Sequence, residues 1–235
     1  MSIPMDPTGA PGAPRPALPV LEPVSVPSWR LLATLGGAGA LAGLLIVLVH
    51  LWTRGPIQAH QAAVLRSAIE EVLHAPARAD TLFLVGGALS DAPPSGADRA
   101  TVERVYRGFA ADGRAIGYAV VGRAPGFADE IGLIFGYDPG AREVLGMKVL
   151  STKETPGLGD KIERPLFMDQ FRGRTAPLVG VKSAGAESDR SAIVMVTGAT
   201  ISSRTVIRAI NEAVARWQPL LDAYDAGRTA AGGKR

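Results

Sequence analysis

The chain has 235 residues, 47% of them hydrophobic, which is enough to bury the core of one good-sized domain and excludes disorder throughout. Its 25 Lys and Arg residues nearly balance its 22 Asp and Glu residues, and no basic run is dense, so nucleic acid is not an expected partner. The sequence contains no cysteine, which excludes disulfides, thiolate metal sites and cysteine nucleophiles.

Residues 1–28 are rich in proline, contain few aromatic residues and show no periodic pattern. This composition predicts a flexible, partly extended tail. The alternative is a proline-rich docking peptide, but the segment lacks the aromatic or basic residues that would give such a peptide specificity.

Residues 29–53 predict one transmembrane helix. No Asp, Glu, Lys or Arg lies between Arg30 and Arg54, and Trp29 and Trp52 lie near the two ends, where membrane interfaces favour them. At 1.5 Å per residue such a helix spans about 30 Å, the thickness of the hydrocarbon core of a bilayer. A cleaved signal peptide would have a shorter apolar region, so an uncleaved anchor is expected.

Arginine residues flank this segment on both sides, so the charges leave its orientation open. Gly39 and Gly43 have the spacing that allows close packing against helices of other membrane subunits. The alternative is that glycine is simply frequent in membrane helices.

After the anchor, Pro56 suits a first helical turn, and apolar residues at helical spacing predict a short separate helix that ends before Pro76. Residues 81–85 can form a strand or the end of a helical hairpin. His60 and His74 lie too far apart for a one-turn ligand pair and have no acidic cluster beside them, so no metal site is predicted.

Residues 101–150 change to a period of two, with short turns between the runs. This pattern predicts neighbouring antiparallel strands whose half-buried face is covered by helices, which is an α+β fold. The predicted runs are Val102 to Phe109, Ile116 to Val120, Ile131 to Tyr137 and Leu145 to Val149.

The segment Ser151 to Glu163 follows a strand directly, and Pro156 and Gly157 exclude a regular element there. The segment is predicted to be a shaped loop that meets a ligand through polar groups and one apolar contact. The alternative is a turn that only joins the strand to a short helical piece near residues 165–171. The ligand-facing candidates are Glu154, Thr155 and Leu158.

Residues 178–182 and 191–196 read as short strands, and helical spacing begins after Ser203, so Thr197 to Arg204 is predicted to be a strand-to-helix turn. Its small residues let the backbone approach a ligand, and the free N–H groups of the helix favour an anion such as phosphate. The alternative is an ordinary N-cap, which the residues alone favour because such stretches are common.

The helix after this turn buries apolar residues on one face, is closed or kinked by Pro219, and is followed by a disordered tail over residues 226–235. The folded domain is therefore predicted to span residues 54–225. The residues of the apolar face are Val206, Ile210, Val214 and Trp217.

Two stretches carry a family resemblance. Thr197-Gly198-Ala199-Thr200 with Ser203 resembles the S/T-G-A-T-x-x-S/T signature of flavoproteins that carry FMN through a phosphoester to threonine, and Glu154 to Lys161 resembles their E-T-P-G-L-G loop. Together with a single anchor, these resemble the G-subunit family of the Rnf ion-translocating electron transport complex. The related C-subunit family of the sodium-translocating NADH:quinone oxidoreductase is the alternative. The similarity covers roughly residues 54–220.

The resemblance implies that Thr200 is the acceptor of the FMN phosphate and that a separate flavin transferase attaches the group. An acidic residue often stands six positions before such an acceptor, whereas this chain has Val194 there. The resemblance also implies that a loop lies near the isoalloxazine and the ribityl chain, and that a lysine holds a polar edge of the flavin. The loop residues are Glu154, Thr155, Leu158 and Gly159, and the lysine is Lys182.

The family further implies an electron carrier in a complex that moves electrons between ferredoxin and NAD while translocating Na⁺ or H⁺. Its expected partners are the other subunits, the transferase and the lipid bilayer, with the domain on the periplasmic side of the inner membrane. Two alternatives are an anchored non-redox binding domain, in which Thr200 only caps a helix, and a structural tether.

Overall fold

The computed structural model describes residues 27–93, 102–182 and 189–232. The chain divides into two compact units, residues 1–55 and residues 56–235. The predicted tail of residues 1–28 lies outside the described residues up to position 26.

The first helix, α1, covers Ser28–Val72 and contains an exposed apolar stretch long enough to cross a membrane. The predicted anchor over residues 29–53 falls within it. A separate helix was expected after Pro56, and this was wrong, because α1 continues through Pro56 without a break. A proline removes only one helical hydrogen bond, and the good helix formers that follow it allow the helix to propagate.

The second unit is built on a seven-stranded antiparallel sheet with the order β2-β1-β3-β4-β5-β6-β7. The predicted α+β fold and its four central strands, β3 to β6, are confirmed, and residues 81–85 belong to a strand. The strands are β1 Arg78–Val85, β2 Ala88–Ser90, β3 Arg104–Phe109, β4 Ala115–Pro125, β5 Glu130–Asp138, β6 Glu143–Ser151 and β7 Arg174–Thr175.

Helices cover both faces of this sheet. Helix α3, Thr200–Gly232, packs on one face, where Ile210 and Leu221 are fully buried with the side chains of the central strands. The last turns of α1 cover the other face, where Val72 lies in a smaller cluster with Ile134. The approach is close at Gly136, since a Cβ there would lie 2.1 Å from the carbonyl oxygen of Val72.

A small parallel sheet and short helical segments complete the unit. Strands β8, Val179–Val181, and β9, Ala192–Val194, pair in parallel, and the Asn211 side chain on α3 bonds both backbone groups of Leu178 at 2.8 and 2.9 Å. The helical segments after β6 are a 3-10 turn at Gly159–Glu163, α2 at Pro165–Met168 and a second 3-10 turn at Asp169–Phe171.

Helix α3 corrects the expected end of the domain. It continues through Pro219 and past residue 225 to Gly232, where a disordered tail was expected from residue 226. The buried side chains of Trp217 and Leu221 flank Pro219, and burying each of them stabilises the helix by about 2–3 kcal/mol, which offsets the cost of the proline.

Candidate functional site

The turn between β9 and α3 has the strand-to-helix geometry that the sequence predicts. The N–H of Ala199 donates to the carbonyl of Val196 at 2.9 Å, and the N–H of Ser203 donates to the carbonyl of Ala199 at 2.8 Å. Gly198 has a φ of +84°, a conformation that favours glycine. The amide groups of the first helical residues, from Thr200 to Ser202, precede the first helical hydrogen bond and have no intrahelical acceptor, so they can bind an anion.

Most hydroxyl groups in the first turns of α3 already have partners. The hydroxyl of Ser202 donates to Oε2 of Glu154 at 2.7 Å, Oγ of Ser203 accepts from the N–H of Val196 at 3.1 Å, and Thr205 donates to the carbonyl of Pro125 at 3.1 Å.

Thr200 differs from these residues. It is the first residue of α3 and is half-buried, and its hydroxyl has no hydrogen-bond partner within the part of the chain that the structure describes. Among the hydroxyls in the first turns of α3, the one on Thr200 is therefore available for a covalent link at the positive end of the helix dipole.

Glu154 ties three segments together behind the turn. Its carboxylate accepts hydrogen bonds from the N–H of Phe127 at 2.8 Å and of Ala128 at 3.1 Å, as well as from Ser202 on α3. Only 6% of Glu154 is exposed. Its oxygens accept these three hydrogen bonds, so Glu154 holds the loop to α3 and to the β4–β5 loop.

The charge of Glu154 is maintained by these hydrogen bonds. Burial alone would raise the pKa of its carboxyl, but the donors at Ser202, Ala128 and Phe127 outweigh burial and hold the pKa below its ordinary value. Glu154 is therefore ionised at neutral pH.

Two glycines make room for this carboxylate. A Cβ at Gly126 would lie 2.3 Å from Oε1 of Glu154, and a Cβ at Gly159 would lie 2.5 Å from Oε2. Gly159 is buried, so its place in the motif is explained by the space that Glu154 needs.

Two apolar side chains lie exposed beside the turn. Leu158 is 51% exposed and Ile201, next to Thr200, is 52% exposed. A Cβ placed on Gly198 would lie 3.9 Å from Cδ2 of Leu158, which places the loop tip against the turn. Exposed apolar groups beside an anion-binding turn fit a molecule with a phosphate and a flat apolar ring, as FMN has.

The remaining predicted site residues, Thr155, Thr197 and Lys182, lie around the turn. Thr155 is exposed, and its carbonyl accepts from the N–H groups of Leu158 at 3.1 Å and Gly159 at 3.0 Å, so it shapes the loop. Thr197 is exposed at the start of the turn. Lys182 lies just after β8, at the end of the small sheet that leads towards the turn.

Three contributors to this site were not predicted from the sequence. Two of them are Ser202 and the amide groups of the β4–β5 loop, which bond Glu154 in the folded chain. They lie 26 to 48 positions from Glu154 along the sequence, so no local pattern connects them with it. The third is Lys161, whose ammonium lies 3.4 Å from the carbonyl of Thr197. The one feature of the sequence that could have indicated a role for Lys161 is its position at the end of the loop motif. In the described ranges, no group of three or more His, Asp or Glu residues could hold a metal ion.

Comparisons with known proteins agree with this geometry. The family model of the FMN-binding domain matches residues 126–215, which include the loop and the turn. The G subunit of the ion-translocating oxidoreductase complex of Methanosarcina acetivorans is 29% identical over 185 residues, covering 79% of this chain and 92% of that protein. The G subunit of Vibrio vulnificus is 31% identical over 180 residues, covering 75% and 82% respectively.

Among solved structures, the crystal structure of NqrC from Shewanella oneidensis has a similar fold. It superposes with a TM-score of 0.61 at 18% identity and covers 70% of this chain and 99% of that one. At this identity the likeness concerns the fold.

Proposed function

The chain belongs to the G-subunit family of the ion-translocating oxidoreductase complex, and we propose that it works there as a membrane-anchored FMN protein that carries electrons. The anchor is the exposed apolar part of α1, and the flavin site is the turn before α3 with the loop held by Glu154. When bound, FMN supplies the redox chemistry, while the protein orients the flavin and excludes water from part of it.

The flavin is attached covalently to Thr200. The observation that carries this proposal is the half-buried Thr200 hydroxyl at the first turn of α3, beside neighbours whose hydroxyls are already bonded. The amide groups of this turn stabilise the negative charge that remains on the phosphate of the ester. The covalent link also prevents loss of the cofactor to an aqueous compartment.

The attachment requires an activated flavin nucleotide and a transferase. Oγ1 of Thr200 forms a new bond to the flavin-bearing phosphorus and loses its proton, while a phosphoanhydride bond of the donor breaks. A dinucleotide of flavin supplies such a bond and releases a nucleoside monophosphate. FMN alone would have to expel a poorer leaving group from its monoester.

Within the complex, the chain passes electrons between neighbouring subunits on a path between ferredoxin and NAD, coupled to movement of Na⁺ or H⁺. The folded unit lies on the periplasmic side of the inner membrane. Both proposals are supported by the family and by the apolar stretch of α1.

Intact mass spectrometry tests the proposal. The full chain, produced in a host with its flavin transferase, should carry one FMN less one water, and Thr200→Ala should lack this increment. Thr81→Ala is the control, because it removes a threonine hydroxyl on β1, outside the signature, and should keep the flavin. An unmodified wild-type chain would contradict the function, and would favour a binding domain in which Thr200 only caps the helix.

A further inference from the structure

Two cationic residues lie at the turn that opens α3, on different elements. Lys161 approaches from the 3-10 turn after the loop: its Nζ lies 3.4 Å from the carbonyl oxygen of Thr197 and 3.3 Å from where a Cβ on Gly198 would stand. Arg204 lies one helical turn after Thr200 on α3 and is exposed. Residues four apart on a helix share one face, so Arg204 lies on the same face of α3 as Thr200.

Two other cations near the site have acidic or carbonyl partners. Lys153 pairs with Asp129 at 2.9 Å, and Arg208 donates to the carbonyl of Pro125 at 2.9 Å. Arg204 has no ion pair or hydrogen bond within the residues that the structure describes. Lys161 has one long bond to a carbonyl and retains donors for a further partner.

We propose that Lys161 and Arg204 hold the phosphate group that links the flavin to Thr200. This inference rests on the proposed covalent attachment. The phosphodiester keeps one negative charge, and the two side chains supply charge-assisted hydrogen bonds from two different elements. The amide groups at the start of α3 complete the site. Both residues are positioning residues, because the bond forms at the threonine.

The same two cations attract the donor of the flavin group before attachment, because its diphosphate is anionic at neutral pH. The attraction acts over a few ångströms of partly exposed surface, so salt should weaken it. The flavin should therefore join the wild-type chain fastest at low ionic strength.

The experiment measures the rate at which flavin joins the full chain. Wild type, Lys161→Met, Arg204→Met and the double variant are each incubated with limiting flavin transferase and flavin dinucleotide, and intact mass gives the loaded fraction with time. Each single variant should load about three- to tenfold more slowly, as expected for loss of one charge-assisted contact at a partly exposed site. Lys161→Arg and Arg204→Lys should restore most of the rate.

Two controls separate charge at the site from general effects of losing a cation. Lys153→Met removes a lysine of the same loop, and Arg216→Met removes an arginine further along α3 that pairs with Glu103. Both should load at the wild-type rate. The melting temperature of each unloaded variant shows whether its fold is intact.

The dependence on salt distinguishes a charge effect from a structural one. Loading of the wild type should slow as ionic strength rises, whereas loading of the double variant should hardly change. Wild-type rates in both single variants would overturn this inference and leave the attachment at Thr200 standing. A wild-type chain that never gains flavin would overturn both.

Discussion

Glu154 shows how one buried carboxylate can hold a functional loop in place. Because its pKa is lowered in the folded protein, it stabilises the fold at pH values above the pKa of an unfolded glutamate, about 4.3, and this contribution is lost as the pH falls through the lower folded value. We expect Glu154→Gln to lower the free energy of unfolding at pH 7 by about 1–3 kcal/mol, because an amide accepts the same N–H groups less strongly.

Urea unfolding followed by circular dichroism at several pH values checks this prediction. The difference between wild type and Glu154→Gln should be constant above about pH 5 and shrink at lower pH. Glu163→Gln changes an exposed glutamate of the neighbouring 3-10 turn and should have little effect at any pH. An equal loss in both variants would show that the bonds of Glu154 do not stabilise the loop.

At this scale the sequence indicated where the turn and the loop lie but not which groups they contact. The position of Thr200 in the first turn of a helix could be predicted, because it follows from the apolar spacing after it. The role of Glu154 could not be predicted, because its partners lie on the β4–β5 loop and on α3, and local patterns do not show which distant segments meet.

At the scale of elements, the close packing of α1 on the sheet requires a glycine at the point of contact. Gly136 on β5 lies where a Cβ would be 2.1 Å from the backbone oxygen of Val72, so Gly136→Ala must push the end of α1 away. We expect a loss of about 3 kcal/mol in the free energy of unfolding, because backbone cannot give way as a side chain can.

Gly146 provides the matched control, since it pairs with Gly136 across β5 and β6. A Cβ there would lie 3.8 Å from its nearest neighbours, an ordinary contact, so Gly146→Ala should change stability little. Thermal unfolding of the three proteins under one condition measures the difference. Similar melting temperatures for Gly136→Ala and wild type would show that α1 does not approach the sheet this closely.

The elements that could be predicted from sequence are the long periodic ones. The four central strands show a clear period of two, whereas β2 and β7 have only three and two residues and give no recognisable pattern. Pro56 was expected to begin a separate helix and Pro219 to close or kink the last one, whereas each lies inside a helix that continues on both sides. The sequence around a proline indicates the free energy that the proline costs a helix. It does not show the stabilisation that tertiary packing of buried neighbours such as Leu221 provides.

At the scale of the whole molecule, the fold predicts that the second unit is independent of the first. Both hydrophobic clusters lie entirely within residues 56–235. A chain lacking residues 1–55 should therefore fold and stay in the soluble fraction, while the full chain should sediment with membranes and require detergent, because the apolar stretch of α1 is exposed.

Membrane fractionation of the two chains tests their predicted solubility, and circular dichroism tests whether the shorter chain is folded. A shorter chain lacking residues 1–75 is the informative comparison, because it also removes Ala68, Ile69 and Val72 from the core. It should be much less stable than the chain lacking residues 1–55. Equal stability of the two shortened chains would show that the end of α1 contributes nothing to the domain.

The hydrogen bonds of Glu154 also bear on the order of events during synthesis of the protein. They join positions 27 and 48 residues apart along the chain, so two long loops must close before the turn at Thr200 takes its shape. Helix α3, which opens with the proposed acceptor, follows every strand of the sheet along the chain. A transferase that recognises this turn in its folded shape therefore acts on a completed domain, and cofactor loading reports that folding has succeeded.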